Sequence, residues 1–164
     1  MPNTYSQIYI HVVLAVKGRG NLISKNWNNE LYKYICGIVN GKNEKVYAIN
    51  GMPDHIHILL SIKPDTSLSN LVRDIKANSS KWINENKFVR GKFHWQEGFG
   101  GFSYSQSQLD DVIGYIDNQE KHHAEKSFKE EYVDFLRKFK VNYDEKYVFE
   151  WIEISVAPTE LTNV

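Results

Sequence analysis

His55 and His57 flank one isoleucine in the run Asp54-His55-Ile56-His57-Ile58-Leu59-Leu60. The bulky apolar residues that follow mark the run as a β-strand. Strand side chains alternate between two faces, so both imidazoles leave the same surface. Two neutral imidazoles aimed one way are adjacent nitrogen ligands, and imidazole is the commonest metal-binding side chain. Ile56, Ile58, Leu60 and Ile62 point the other way and belong to a core. Two histidines leave most of a coordination shell open; a catalytic metal needs that opening, although a third protein ligand is usual.

The strongest candidate for the third ligand lies in Tyr115-Ile116-Asp117-Asn118-Gln119. Leu109, Val112, Ile113 and Ile116 recur at helical spacing, which predicts a helix from 106 to about 126. On it Tyr115 and Gln119 stand one turn apart beside the apolar stripe, and His122 continues their face. A carboxamide oxygen suits a hard cation such as Mg²⁺ or Mn²⁺. A phenol is a nucleophile once it is deprotonated or meets an activated electrophile.

The elements that must carry these groups follow from periodicity. Gln7 to Val16 alternates as a strand, with Ile8, Ile10, Val12, Leu14 and Val16 on one face and Tyr9, His11, Val13 and Ala15 on the other. Ser24 is an N-cap for a helix running to about Val39. Lys45 to Asn50 is a short strand, Gly51-Met52-Pro53-Asp54 a turn, and the histidine strand follows. Ser67 opens a second helix, and Phe93 to Tyr104 holds a last strand. Further helices cover 106 to about 126 and 128 to 140, and Tyr143, Tyr147, Phe149 and Trp151 predict a docked tail. The order β-α-β-β-α-β is that of a ferredoxin-like α+β sandwich, an antiparallel sheet with helices on one face. The opposite face is expected to be free and to bear the histidine pair, with the tyrosine on added C-terminal helices.

The 164 residues fit one domain, with a core over about 5–125 and a helical extension over about 126–164. A hydrophobic fraction of 41% and a charged fraction of 24% are ordinary for a soluble globular protein, and no run is long and apolar enough to span a membrane. The N-terminus lacks a secretory pattern. Cys36, the only cysteine, excludes an internal disulfide and a cysteine-rich zinc site, so a cytoplasmic compartment is expected. Net charge is zero but unevenly spread: residues 1–109 hold 13 Lys/Arg against 7 Asp/Glu, and residues 110–164 hold 7 against 13. A basic body of this kind can bind a polyanion on one face.

Within that body, Arg73, Lys76 and Ser80 share a helix face suited to phosphate contacts, and Lys17 and Arg19 leave the first strand nearby. Trp95, Phe99, Phe102 and Tyr104 are core aromatics by default, with base stacking the alternative. His11 reads as structural, His122 and His123 as charge partners at a helix C-terminus, and Cys36 as buried and inert.

Five segments together resemble a known family: His11-Val12-Val13-Leu14-Ala15-Val16-Lys17, Met52-Pro53-Asp54-His55-Ile56-His57-Ile58-Leu59-Leu60, Leu71 to Ser80, Trp95-Gln96-Glu97-Gly98-Phe99 and Tyr115-Ile116-Asp117-Asn118-Gln119. In this order the chain resembles the single-tyrosine transposases of the two-hundred/six-hundred-five insertion-sequence group (IS200-like transposases), within the His-hydrophobic-His (HUH) endonucleases. The resemblance implies a metal-dependent enzyme that cuts and rejoins single-stranded DNA without ATP. It implies Mg²⁺ or Mn²⁺ held by His55, His57 and Gln119, and attack by Tyr115 to give a 5′-phosphotyrosine and a free 3′-OH. It implies DNA hairpins as the recognised ends, and a homodimer whose tyrosine helix often completes the partner subunit's site. The alternatives are a non-catalytic single-strand-binding module, or a domesticated nickase of the same fold acting on palindromic repeats.

Overall fold

The computed structural model describes residues 3–17 and 20–144. Strand β1 (Tyr9–Ala15) leads through helix α1 (Asn28–Gly41) to the hairpin β2 (Lys45–Met52) and β3 (His55–Ser61). Helix α2 (Leu68–Glu85) follows, then β4 (Gly100–Tyr104), a 3-10 turn over Gln106–Gln108, and helices α3 (Leu109–Asp117), α4 (Gln119–Glu125) and α5 (Phe128–Lys138). The sheet order is β2-β3-β1-β4, all antiparallel, which is the ferredoxin-like arrangement.

The alternation of β1 and β3 decides the layering. Val12, Leu14, Ile56, Ile58 and Leu60 are fully buried on one face against α1 and α2, which contribute Leu31, Ile35, Leu71 and Ile75. Ser67 caps α2, its hydroxyl accepting from the Asn70 amide at 3.2 Å. The opposite face is not free, contrary to expectation. Val13, Ala15 and Phe102 pack against Phe128, Tyr132, Phe135 and Leu136 of α5, and Ala48 and Leu59 pack against Val112 and Ile116 of α3. The amphipathic C-terminal helices must bury their own stripes, and this sheet face is the apolar surface they meet.

Several boundaries differ from the periodicity. Helix α1 begins at Asn28 rather than after Ser24, whose hydroxyl and carbonyl instead organise the preceding turn. The strand expected from Phe93 shrinks to β4, with a single bridge between Val16 and Trp95, because Gly98 turns the chain at φ +78°. The helix expected over 106–126 breaks at Asn118. Asn118 returns its side-chain amide to the Gly114 carbonyl at 2.9 Å, and Asn50 of β2 caps the freed carbonyls of Ile116 and Asp117 at 3.0 and 3.2 Å. Trp95 and Phe102 are core, so neither is free to stack on a base; Trp95 donates its indole N–H to Ser79. Arg19 and the tail residues Tyr147, Phe149 and Trp151 lie outside the described residues.

The β2–β3 hairpin presents the histidines, and Gly51 sits where no larger residue fits. A Cβ there would lie 2.3 Å from the His55 carbonyl oxygen and 2.8 Å from Ile56 Cα, both backbone. Gly51→Ala is therefore expected to lower stability by about 1–3 kcal/mol, as overpacking does. Urea unfolding of the variant beside wild type checks this.

Candidate metal and tyrosine site

Strand β3 places His55 and His57 side by side, ring centroids 5.0 Å apart and both fully buried. Their outer nitrogens are fixed by neighbours. His55 Nδ1 meets Asp54 Oδ1 at 2.7 Å, and His57 Nδ1 meets His11 Nε2 on β1 at 2.7 Å. Both Nε2 atoms consequently point to one spot under the C-terminal helices. There the Glu131 carboxylate of α5 places Oε1 at 3.0 Å from His57 Nε2, 3.4 Å from His55 Nε2 and 3.2 Å from His123 Nε2 of α4. Phe128, one turn earlier on α5, stacks on His55 at 3.9 Å and 5°. Ser127 starts that helix by accepting from the Glu130 amide at 3.2 Å.

Tyr115 of α3 reaches the same spot: its hydroxyl donates to Glu131 Oε2. His122 stacks on its ring at 4.4 Å, and Phe135 meets it edge-on at 5.7 Å. Gln119, the first residue of α4, is fully buried with Oε1 at 3.4 Å from His55 Nε2. All four residues expected at the site, His55, His57, Tyr115 and Gln119, are thus gathered from one chain. A cavity of about 610 Å³ opens beside Tyr115, walled by Tyr104, His122, Phe135 and Lys138.

Glu131 is an addition that the sequence reading missed, and His123, read there as a helix C-terminal charge partner, joins it at the site. With His55 and His57 they offer four ligand atoms within 4.8 Å of one another. Three imidazole nitrogens and a carboxylate are a donor set suited to a divalent transition ion, and the outer contacts of His55 and His57 are the kind that orient metal-binding imidazoles. The signal for Glu131 was its position: Phe128, Glu131, Tyr132 and Phe135 share the apolar stripe of α5, where a solvated carboxylate does not belong.

The charges follow from this packing. Burial pulls His55 down, but its hydrogen bonds to Asp54 and Glu131 and their negative charges outweigh it and hold it up at about 9. Burial lowers His57, opposed by Glu131 and helped by the charges of His55 and His123. Burial also holds His11 well below the usual imidazole value. For Glu131, burial favours the neutral acid, yet hydrogen bonds from His123, His55 and His57 win and keep it ionised. Burial, then the hydrogen bond to this carboxylate and its charge, push the Tyr115 phenol well above its ordinary value, so as held here it keeps its proton.

The proposed phosphate-binding residues lie on another surface. Arg73, Lys76 and Ser80 line one open groove with His94, Gln96 and Phe99. Lys76 directs its ammonium to the carbonyls of Gln96, at 2.8 Å, and Gly98, fixing the 96–98 loop. The Ser80 hydroxyl bonds back to the Lys76 carbonyl at 2.8 Å, while Arg73 and Lys17 are exposed.

Comparison with known proteins now gives the family. The model of the family described as Transposase IS200 like matches residues 4–119, and the chain belongs to that family. The matched segment contains His55, His57, Tyr115 and Gln119 and stops short of His123 and Glu131. The fold is similar to that of a Deinococcus radiodurans protein assigned as a transposase, at TM-score 0.58 and 20% identity over 71% of this chain and 94% of that one. It is also similar to a REP-associated tyrosine transposase solved with a REP hairpin, at TM-score 0.57 and 15% identity over 74% of this chain and 72% of that one. No curated protein matches by sequence. Among the described residues no helix is long and apolar enough to cross a membrane.

The titrating groups make stability depend on pH in two directions. A raised folded pKa gives stability that is complete below the unfolded value near 6.5 and lost as pH climbs through about 9, so His55 accounts for about 3 kcal/mol lost over that window. His11 and His57 are lowered, so the unfolded chain takes up their protons first and stability also falls below about pH 6.5. Urea unfolding in EDTA across pH 5 to 9.5 should peak near pH 6.5 (between the two windows); a flat profile would contradict the buried network.

Proposed function

We propose that this transposase-family protein cleaves and rejoins single-stranded DNA, with Tyr115 as nucleophile and a divalent cation, Mg²⁺ or Mn²⁺, held at the histidine site. The observation that carries the reading is that Tyr115 and the imidazoles of His55 and His57 converge on one buried carboxylate, Glu131. His55 and His57 would hold the ion, with Gln119, His123 and Glu131 as the further donors within reach. When bound, the ion supplies Lewis-acid polarisation of the scissile phosphate.

The chain's own residues set the rest. Asp54 and His11 contact the outer nitrogens of the two imidazoles, both imidazoles are fully buried, and Tyr115 and Glu131 face the cavity. Tyr115 Oη forms a bond to phosphorus as the bond from phosphorus to the 3′-oxygen breaks. The phenol gives up one proton and the leaving 3′-oxygen gains one, so the products are a 5′-phosphotyrosine and a 3′-OH. Reversal with a different 3′-OH rejoins the strand and conserves the phosphodiester, which explains why no ATP is needed.

The hairpin in one structural relative and the exposed cations Lys17 and Arg73 support hairpin-ended DNA as the substrate, with Lys76 and Ser80 shaping the groove beside Arg73. We infer further that each site is complete within one chain, because α3, α4 and α5 dock on their own sheet. A homodimer would then pair two whole sites rather than exchange tyrosines.

Incubation with labelled hairpin-ended single-stranded DNA and Mn²⁺ should give a covalent protein–DNA adduct. The adduct should vanish with EDTA and with Tyr115→Phe; persistence in Tyr115→Phe would remove Tyr115 as nucleophile. Mixing His57→Ala with Tyr115→Phe chains should restore no cleavage, and recovery would show that tyrosines cross between subunits.

A further inference from the structure

His11 is fully buried on β1, and its Nε2 lies 2.7 Å from His57 Nδ1. Its Nδ1 is buried with no hydrogen-bond partner among the described residues. We propose that His11 is a positioning residue for the metal site: it accepts the Nδ1 proton of His57 and so keeps His57 Nε2 bare for the ion. The inference rests on the metal reading given above.

Proton placement decides which His57 nitrogen is open to the ion. Two neutral imidazoles in this contact share a single proton between the facing nitrogens. If His11 donates it, His57 must carry its own proton on Nε2, where it donates to Glu131 Oε1 at 3.0 Å and no lone pair faces the site. If His57 donates from Nδ1, its Nε2 lone pair faces Glu131 and His123, and the His11 proton moves to the unpartnered Nδ1. Only the second arrangement lets His57 bind a cation, and both hold the same number of protons. The orphan nitrogen is explained as the place the second arrangement needs. Without an acceptor at position 11, metal binding would leave a buried His57 N–H unpaired.

Packing alone makes the opposite demand on this position. The His11 ring stands edge-on to Phe135 at 5.2 Å and to Phe102 at 6.3 Å, with Tyr104 at 6.1 Å. A phenylalanine suits these neighbours, whereas a glutamine brings an oxygen that can accept from His57 but packs less well. A structural role therefore tolerates His11→Phe better, and a tautomer-setting role tolerates His11→Gln better.

Calorimetric titration of the full chain with Mn²⁺ separates the two, beside wild type and His57→Ala. His11→Phe should bind about tenfold or more weakly, the effect usual for loss of an outer partner, while His11→Gln stays within about threefold of wild type. Equal affinity for His11→Phe and wild type, or equal losses in both variants, would overturn the proposal. Should either variant fail to fold, ¹⁵N-histidine spectra of the wild-type chain with Zn²⁺ as a diamagnetic probe decide. The His57 proton should sit on Nδ1, and a proton on Nε2 would overturn the assignment. A wild-type chain that binds Mn²⁺ no better than His57→Ala would bring down the metal reading itself. Normal wild-type binding with no His11 effect would bring down only this one.

Discussion

The carboxylate of Glu131 is the constraint on which the rest of the site depends. It is 3% exposed, and a buried carboxylate without partners costs several kcal/mol. It is tolerated because three imidazole nitrogens surround one oxygen and a phenol donates to the other. Those four groups arrive on β3, α3 and α4, so the carboxylate ties the histidine strand to all three C-terminal helices. Deleting one partner would strand the others, which makes the network cooperative rather than a sum of contacts.

This dependence explains why α5 is bound to the sheet so firmly. The apolar stripe of Phe128, Tyr132, Phe135 and Leu136 supplies the burial, and Glu131 on the same stripe supplies the direction. Tyr115 is therefore held in cis and neutral. The Tyr115 phenol lies close to the histidines and keeps its proton.

The strands and the first two helices were legible in the sequence, since the alternation in β1 and β3 and the 3.6-residue stripe of α2 survive intact in the fold. The His55–His57 pair was legible for the same reason, a period of two on a strand with one apolar face. Tyr115 and Gln119 both reach the histidine cluster even though Asn118 breaks the helix between them. Glu131 and His123 were not legible by charge. Glu130, Glu131 and Asp134 look like a solvated acidic run, and only the helical phase of residue 131 separates it from its neighbours. The covered sheet face was missed because the partner of the C-terminal stripes is a tertiary choice, which local periodicity does not encode.

The central claim is that one chain builds a metal site from His55, His57 and Glu131 with Tyr115 beside it. Anomalous diffraction from crystals of the wild-type protein grown with Mn²⁺ tests it most directly. The account predicts one strong manganese peak touching both imidazoles and the Glu131 carboxylate of the same chain. A peak held by other residues, or Glu131 turned away with α5 undocked, would contradict it.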